Sequence, residues 1–190
     1  MPFFTVEGEI FTGWESIIQE INAKIHNSSA NRFVLVVECY QGVYHNELIE
    51  SFMKLNPELF VNSGDAFLSD ERIREITYPD VTDDAIFGYI TRLTYDKLLD
   101  KAKVEDVRNK IKESSGLVIV YGHAAALIEE EPDCLVYADM SRWEIQLRQR
   151  KNEISNLGIN NADEAPGLQQ IKNGAIFLLL LHGESLKRVL

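Results

Sequence analysis

The residues best placed to do chemistry sit in the stretch VLVVECYQGVYHNELIES, residues 34–51. An apolar β-branched run leads into a turn with one glycine, and a helix-like segment follows. Phosphate-binding loops share that layout and read G-x-x-x-x-G-K-[ST], in which glycines let the backbone wrap the phosphates, lysine meets the outer ones and a hydroxyl holds magnesium. That register falls here on Cys39, Tyr40, Gln41, Gly42, Val43, Tyr44, His45 and Asn46. Only Gly42 is of the required kind. A tyrosine at 44 obstructs the close backbone approach that glycine permits. An imidazole at 45 is shorter than lysine and largely neutral at pH 7. Asn46 caps a helix better than it replaces a magnesium-bound hydroxyl. The helix-start amides after Gly42, from Val43 to Asn46, could still hold a lone anion. The favoured expectation is a strand–turn–helix corner without a bound nucleotide.

Other candidates lie at the ends of later apolar runs. Asp65 in NSGDAF could serve as a base or orienting carboxylate, although Ser-Gly-Asp is also an ordinary turn former. In VIVYGHAAAL, Tyr121 stands where an acidic residue would hold magnesium through water, and Gly122 and His123 would line the cleft beside it. Tyr40 and Asp139 would line it too. ADMSRWEIQLRQRKN carries Arg142, Arg148, Arg150 and Lys151, the densest basic patch of an acidic chain. These arginines could clamp phosphate through their planar donor forks, or form a solvated helix face with cations near its C-terminus. Arg92, isolated in an aromatic and apolar setting, suggests a carboxylate partner such as Asp83 or Asp84, or an anionic ligand. No metal-ligand cluster is expected, because His26, His45, His123 and His182 fall in unrelated segments.

The elements that would carry these residues alternate in type. Strands are expected over 33–38, 59–62, 117–121, 134–138 and 175–181, mostly as continuous apolar runs of the kind covered on both faces. Thr12 with Glu15, and Ser141 with Glu144, have capping-box spacing. The first helix would bury Trp14, Ile17, Ile18, Ile21 and Ile25, and further helices are expected near 46–54, 69–76, 104–113 and 141–152. The polar stretch 153–167 reads as a long loop or a mobile flap. The expected fold is α/β, doubly wound, with a mostly parallel five-stranded sheet and helices on both faces, in one domain over 1–190. Ligands of such sheets bind outside the carboxyl ends of the strands.

Composition narrows the partners. A formal net charge of −11 argues against a nucleic-acid surface, an anionic membrane and loose attraction of polyphosphates. Cys39 and Cys134 make no zinc or redox spacing and read as buried thiols in a reducing compartment. MPFFTVEGEI lacks the basic lead and apolar core of a signal peptide, and AIFLLLL is far short of the roughly 20 residues that span a bilayer. A cytoplasmic protein is expected.

The segments VLVVECYQGVYHNEL, Asp65 and GLVIVYGHAAAL through CLVYADMSRWEIQLRQRKN resemble the uridine-kinase-like branch of phosphate-loop kinases, over about Arg32 to Asn152. A fuller likeness, carried by GEIFTGWESI, YQGVY, TDDAIFG, TRLT, VIVYGHAAAL and EIQLRQRKNEISNLG, is to the kinase-like domain preceding the cupin portion of Bacteroidetes class I mannose-6-phosphate isomerase-like proteins. The tail departs from that pattern, because IFLLLLHGES stands where a polar Asp-Trp pair is expected. The resemblance implies a kinase-like three-layer sandwich. With the lysine and hydroxyl missing, it implies a non-catalytic or regulatory domain that binds a sugar phosphate or other small anion. A partner would be a separate cupin-type isomerase subunit or a second copy. The alternatives are an atypical phosphotransferase using ATP and magnesium with Asp65 as base, and an interaction module built on a patch around Tyr40, Tyr44 and Phe87. Isomerase chemistry is not expected, because nothing in 1–190 supplies the cupin metal-ligand set.

Overall fold

A computed structural model describes residues 8–81, 93–155 and 158–163. Arg92, Phe87, Asp83, Asp84, His182 and the expected strand at 175–181 lie outside the described residues. The chain runs through α1 (Trp14–Asn27), β1 (Arg32–Cys39), α2 (His45–Phe52), β2 (Leu59–Asn62), α3 (Asp70–Val81), α4 (Lys101–Glu113), β3 (Gly116–Gly122), α5 (Ala125–Ile128), β4 (Cys134–Ala138) and α6 (Arg142–Arg150). Short 3-10 turns occupy Met53–Leu55, Ser63–Ala66 and Tyr95–Lys97. Among the described residues no helix is long and apolar enough to cross a membrane.

The four strands form a parallel sheet in the order β2-β3-β1-β4. β1 is central, and its apolar run is continuous because both faces are covered. Phe33, Leu35, Val37 and Cys39 point to one side, where they meet Ile21 of α1 and Leu48 and Phe52 of α2. Val34 and Val36 point to the other, against Ile73 of α3, Val107 and Ile111 of α4, and Ala125 and Ile128 of α5. The period-two alternation of a strand thus splits one apolar stretch between two cores. The expected α1 stripe is present, with Trp14, Ile17, Ile18 and Ile25 packed around buried Ile21. Among the described residues the architecture is α/β, a four-stranded parallel sheet with helices on both faces.

The two helix-start signals fare differently. Ser141 caps α6 as expected, its Oγ accepting from the Glu144 N–H at 3.3 Å. The reciprocal half of the box is absent, because the Glu144 carboxylate turns to Arg148. Thr12 does not cap α1. Gly13 is the N-cap residue, with φ 82° and no side-chain cap, so Glu15 sits one position too early for the box. Thr12 instead offers its carbonyl to the Ser16 hydroxyl at 2.8 Å.

Candidate functional site

From the carboxyl end of β1 the chain crosses to β2 on one side of the sheet, and from β3 it crosses to β4 on the other. The ends of these adjacent strands therefore flank a crevice, the usual ligand position in open parallel sheets. Two cavities open there. One, of about 560 Å³, is lined by Gly42 to Glu47, His123 and Glu153 to Ser155. A smaller one, of about 310 Å³, lies over Phe67, Leu68 and Ile159 and shares His123 and Ser155 as a wall with the first. Of the expected anion-binding set, Gly42, Val43, Tyr44, His45 and Asn46 all line the larger cavity, as does His123.

The β1–α2 corner is built tightly. Tyr40 extends the strand pairing by donating to the Ala138 carbonyl at 2.8 Å, and the turn closes with Val43 N–H on the Tyr40 carbonyl at 3.3 Å. Gly42 has φ 91°, and a Cβ added there would stand 2.9 Å from Ile145 Cγ1 on α6. Glycine is needed here for the left-handed turn and for the approach of α6. The N-cap residue of α2, Tyr44, makes no side-chain cap. His45, Asn46 and Glu47, whose N–H groups belong to the first turn and have no intrahelical acceptor, line the cavity.

Arg148 braces this corner from α6. Its Nη1 donates to the Gly42 carbonyl at 2.6 Å and its Nε to Glu144 at 3.0 Å, while the guanidinium lies 3.6 Å above the Tyr44 ring. The Tyr44 hydroxyl in turn donates to Glu153 at 2.6 Å. The best phosphate clamp suggested by the sequence is therefore engaged within the protein. Arg150 points elsewhere, 5.9 Å from the exposed ring of Trp143. Arg142 stands at the start of α6, with Tyr40 and Asp139, beyond the cavity lining. The exposed end of α6 also carries Lys151, within 3.9 Å of Glu153.

Two imidazoles meet in the cavity. The His45 and His123 rings are 5.5 Å apart, and His45 is edge-on to Tyr121 at 6.0 Å. His123 Nδ1 lies 2.7 Å from the Cys39 carbonyl. A carbonyl only accepts, so Nδ1 carries the proton and Nε2 is left as an acceptor. Burial lowers the pKa of both rings, that of His123 to about 4 with some help from His45. Both are neutral at pH 7. The Ser63 hydroxyl donates to the His123 carbonyl at 2.7 Å, and a Cβ on Gly122 would stand 2.4 Å from that hydroxyl. Asp65 is an exposed residue of the 3-10 turn after β2, where Asn62 caps the Gly64 N–H at 2.9 Å, and it does not line either cavity. The turn-former interpretation suits it best. Among the described residues no three His, Cys, Asp or Glu side chains are grouped to hold a metal ion.

The polar stretch after α6 is a loop, as expected, but its described part is anchored rather than a free flap. Glu153 N–H donates to the Arg148 carbonyl at 2.9 Å, Ile159 and Asn161 are buried, and a Cβ on Gly158 would meet Ile73 at 2.7 Å. The loop roofs the crevice.

Sequence reasoning missed Glu38, the last side chain of β1 on the α3–α5 side. Its Oε1 accepts from Ala124 N–H and its Oε2 from Ala126 N–H, both at 2.8 Å. Burial pushes its pKa up to about 7 against the pull of the Ala126, Ala124 and Ala125 N–H groups. The available signal was a carboxylate continuing the alternation of an otherwise apolar run.

Fold and crevice together define an α/β domain with a ligand-sized site at the carboxyl edge of a parallel sheet. Residues 13–175 match the family described as Domain of unknown function (DUF8485), and the chain belongs to that family. No curated protein and no solved structure matches it.

Proposed function

We propose that this chain is a non-catalytic, kinase-like binding domain whose β1–α2 corner receives a small anion, such as a sugar phosphate, in place of a nucleoside triphosphate. One observation carries this reading: Arg148, the cation nearest the corner, is already engaged by the Gly42 carbonyl, Glu144 and the Tyr44 ring. With His45 and His123 neutral, the described lining of the cavity offers no free countercharge for three phosphates. What it offers is the uncapped start of α2, which suits one compact anion. The two carboxylates in the lining are each held by a donor, Glu47 by Trp14 Nε1 at 2.7 Å and Glu153 by Tyr44. Asn46 and Ser155 supply polar groups for sugar hydroxyls.

The kinase-like sandwich with a fifth strand over 175–181, a cytoplasmic location and a cupin-type isomerase subunit or second copy as partner belong to the same proposal. An active phosphotransferase is the less favoured reading, because Asp65 is outside the cavity lining. An interaction module has one observation in its favour, the exposure of Trp143 and Ile10 at 64% and 91%. Tyr44 is partly exposed as well, although Arg148 covers one face of its ring.

Thermal denaturation with mannose 6-phosphate, sulfate and ATP–magnesium separates these readings, because a ligand of the native state raises the melting temperature by mass action. Mannose 6-phosphate is expected to raise it and ATP–magnesium to leave it unchanged. A rise with ATP–magnesium that Arg148→Ala abolishes would establish the phosphotransferase reading. No rise with any ligand, together with a dimer on size exclusion, would establish the interaction module.

A further inference from the structure

The turn Gly122–Ala126 presents His123 to both cavities, and it is fastened at three points. The Ser63 hydroxyl holds its carbonyl, and the Cys39 carbonyl holds the imidazole. The third fastening is Glu38, whose two carboxylate oxygens divide between Ala124 and Ala126 and so clamp the first turn of α5. Ala124 is left-handed, with φ 59°, a conformation that an L-residue other than glycine adopts only when its surroundings enforce it. Glu38 is the side chain that holds the Ala124 N–H. Glu38 is the neighbour of Cys39, so two of the three fastenings, the Glu38 carboxylate and the Cys39 carbonyl, arise from the end of β1.

We propose that Glu38 is the positioning residue of the His123 turn and that its ionisation sets how firmly the crevice holds an anion. The dependence on ligand rests on the binding function proposed above, whereas the link from Glu38 to His123 does not. An ionised carboxylate accepts two N–H bonds through equivalent oxygens, and charge makes both stronger. Protonation converts one oxygen into a hydroxyl and weakens that half of the clamp. The titratable groups that feel Glu38 are Cys39 on its own strand, Tyr95 of the 95–97 turn and Tyr137, its register partner on β4. All three have raised pKa values and are neutral around pH 7, so none supplies a compensating charge. Burial places the Glu38 transition itself close to neutrality.

The test uses the full chain labelled with ¹⁵N, with amide and imidazole resonances followed between about pH 5.5 and about 8.5. In the wild type, the Ala124 and Ala126 amides are expected to move together through one transition near neutrality, with the His123 ring following. Glu38→Gln should abolish that transition, and His45→Asn should leave it in place. Glu38→Asp, whose shorter arm reaches one N–H only, should retain a transition in a single amide, which keeps the test open if the glutamine variant does not fold. Flat Ala124 and Ala126 resonances, or a transition that survives Glu38→Gln, would overturn the proposal. Sulfate, a constant dianion over this range, serves as the ligand probe. Its affinity should fall several-fold as the pH drops through the transition in wild type, beyond any change in Glu38→Gln. If the amides titrate while sulfate and mannose 6-phosphate never bind, the anion-binding function fails and the positioning role stands. If sulfate binds with one pH profile in both proteins, the regulation fails and the function stands.

Discussion

Replacing Arg148 by methionine keeps most of the apolar stem and removes the guanidinium, so it isolates what the charged head does for the corner. Three contacts disappear. The bond to the Gly42 carbonyl comes from a charged donor whose side chain is only 13% exposed, a setting worth about 1.5–3 kcal/mol. The pair with Glu144 is half-exposed and one helical turn away, worth about 0.5 kcal/mol. Stacking over Tyr44 contributes about 0.5–1 kcal/mol more. The sum is roughly 2.5–4.5 kcal/mol, since these terms are not additive in detail. At about 2–4 °C per kcal/mol for a chain of this size, the melting temperature should fall by roughly 5–18 °C. Urea denaturation of the two proteins at pH 7 measures the difference directly, with unchanged slope as the check that both unfold alike. A variant as stable as wild type would mean that Arg148 is a free cation awaiting an anion. The bracing argument, and with it the exclusion of a triphosphate, would then fail.

Glu38 and His123 give opposite pH dependences. For Glu38, the folded pKa of about 7 lies above the ordinary 4.5, so its contribution to stability is full below about 4.5 and is lost as pH rises toward 7. Between pH 5 and pH 8 that loss is roughly 2–3 kcal/mol, and Glu38→Gln should unfold in urea without it. For His123, the folded pKa of about 4 lies below the ordinary 6.5, so stability present above 6.5 is lost as pH falls toward 4. His123→Gln should therefore lose less stability than wild type between pH 6.5 and pH 4, as followed by circular dichroism. Gly42→Ala combines a left-handed φ with a 2.9 Å approach to Ile145 and should destabilise by about 1–3 kcal/mol, measured in urea. Truncating Phe52, which is 1% exposed between α1 and the sheet, to alanine should cost about 3–5 kcal/mol by the same assay.

How much of this was legible in the sequence depends on the range of the interactions involved. β1 and β3 announce themselves locally, because FVLVV and LVIV are apolar throughout and lie under helices on both faces. The Ser141 cap is local too, settled within three residues. Thr12 shows the limit of such signals, since its spacing is right but the helix begins one residue later, at Gly13 with φ 82°. The functions of Arg148 and Glu38 are not local. The Gly42 carbonyl is 106 positions from Arg148, and the Ala124 N–H is 86 from Glu38. Both acceptor and donor are backbone groups, which leave no mark in residue identity. Hence the basic run of α6 reads equally as a phosphate clamp or a solvated helix face, and the partners of Glu38 cannot be read from its place near the end of an apolar run. His45 and His123 were readable one by one, but their proximity follows from the pairing of β1 with β3.

The most direct test of the central claim is a calorimetric titration of the wild-type chain with mannose 6-phosphate and with ATP–magnesium, repeated on His45→Glu, which places a carboxylate at the start of α2. The account predicts heat from the sugar phosphate, its loss in His45→Glu, and none from the nucleotide. Saturable ATP–magnesium binding that His45→Glu removes would contradict it, because the crevice would then hold a triphosphate that its described lining cannot neutralise.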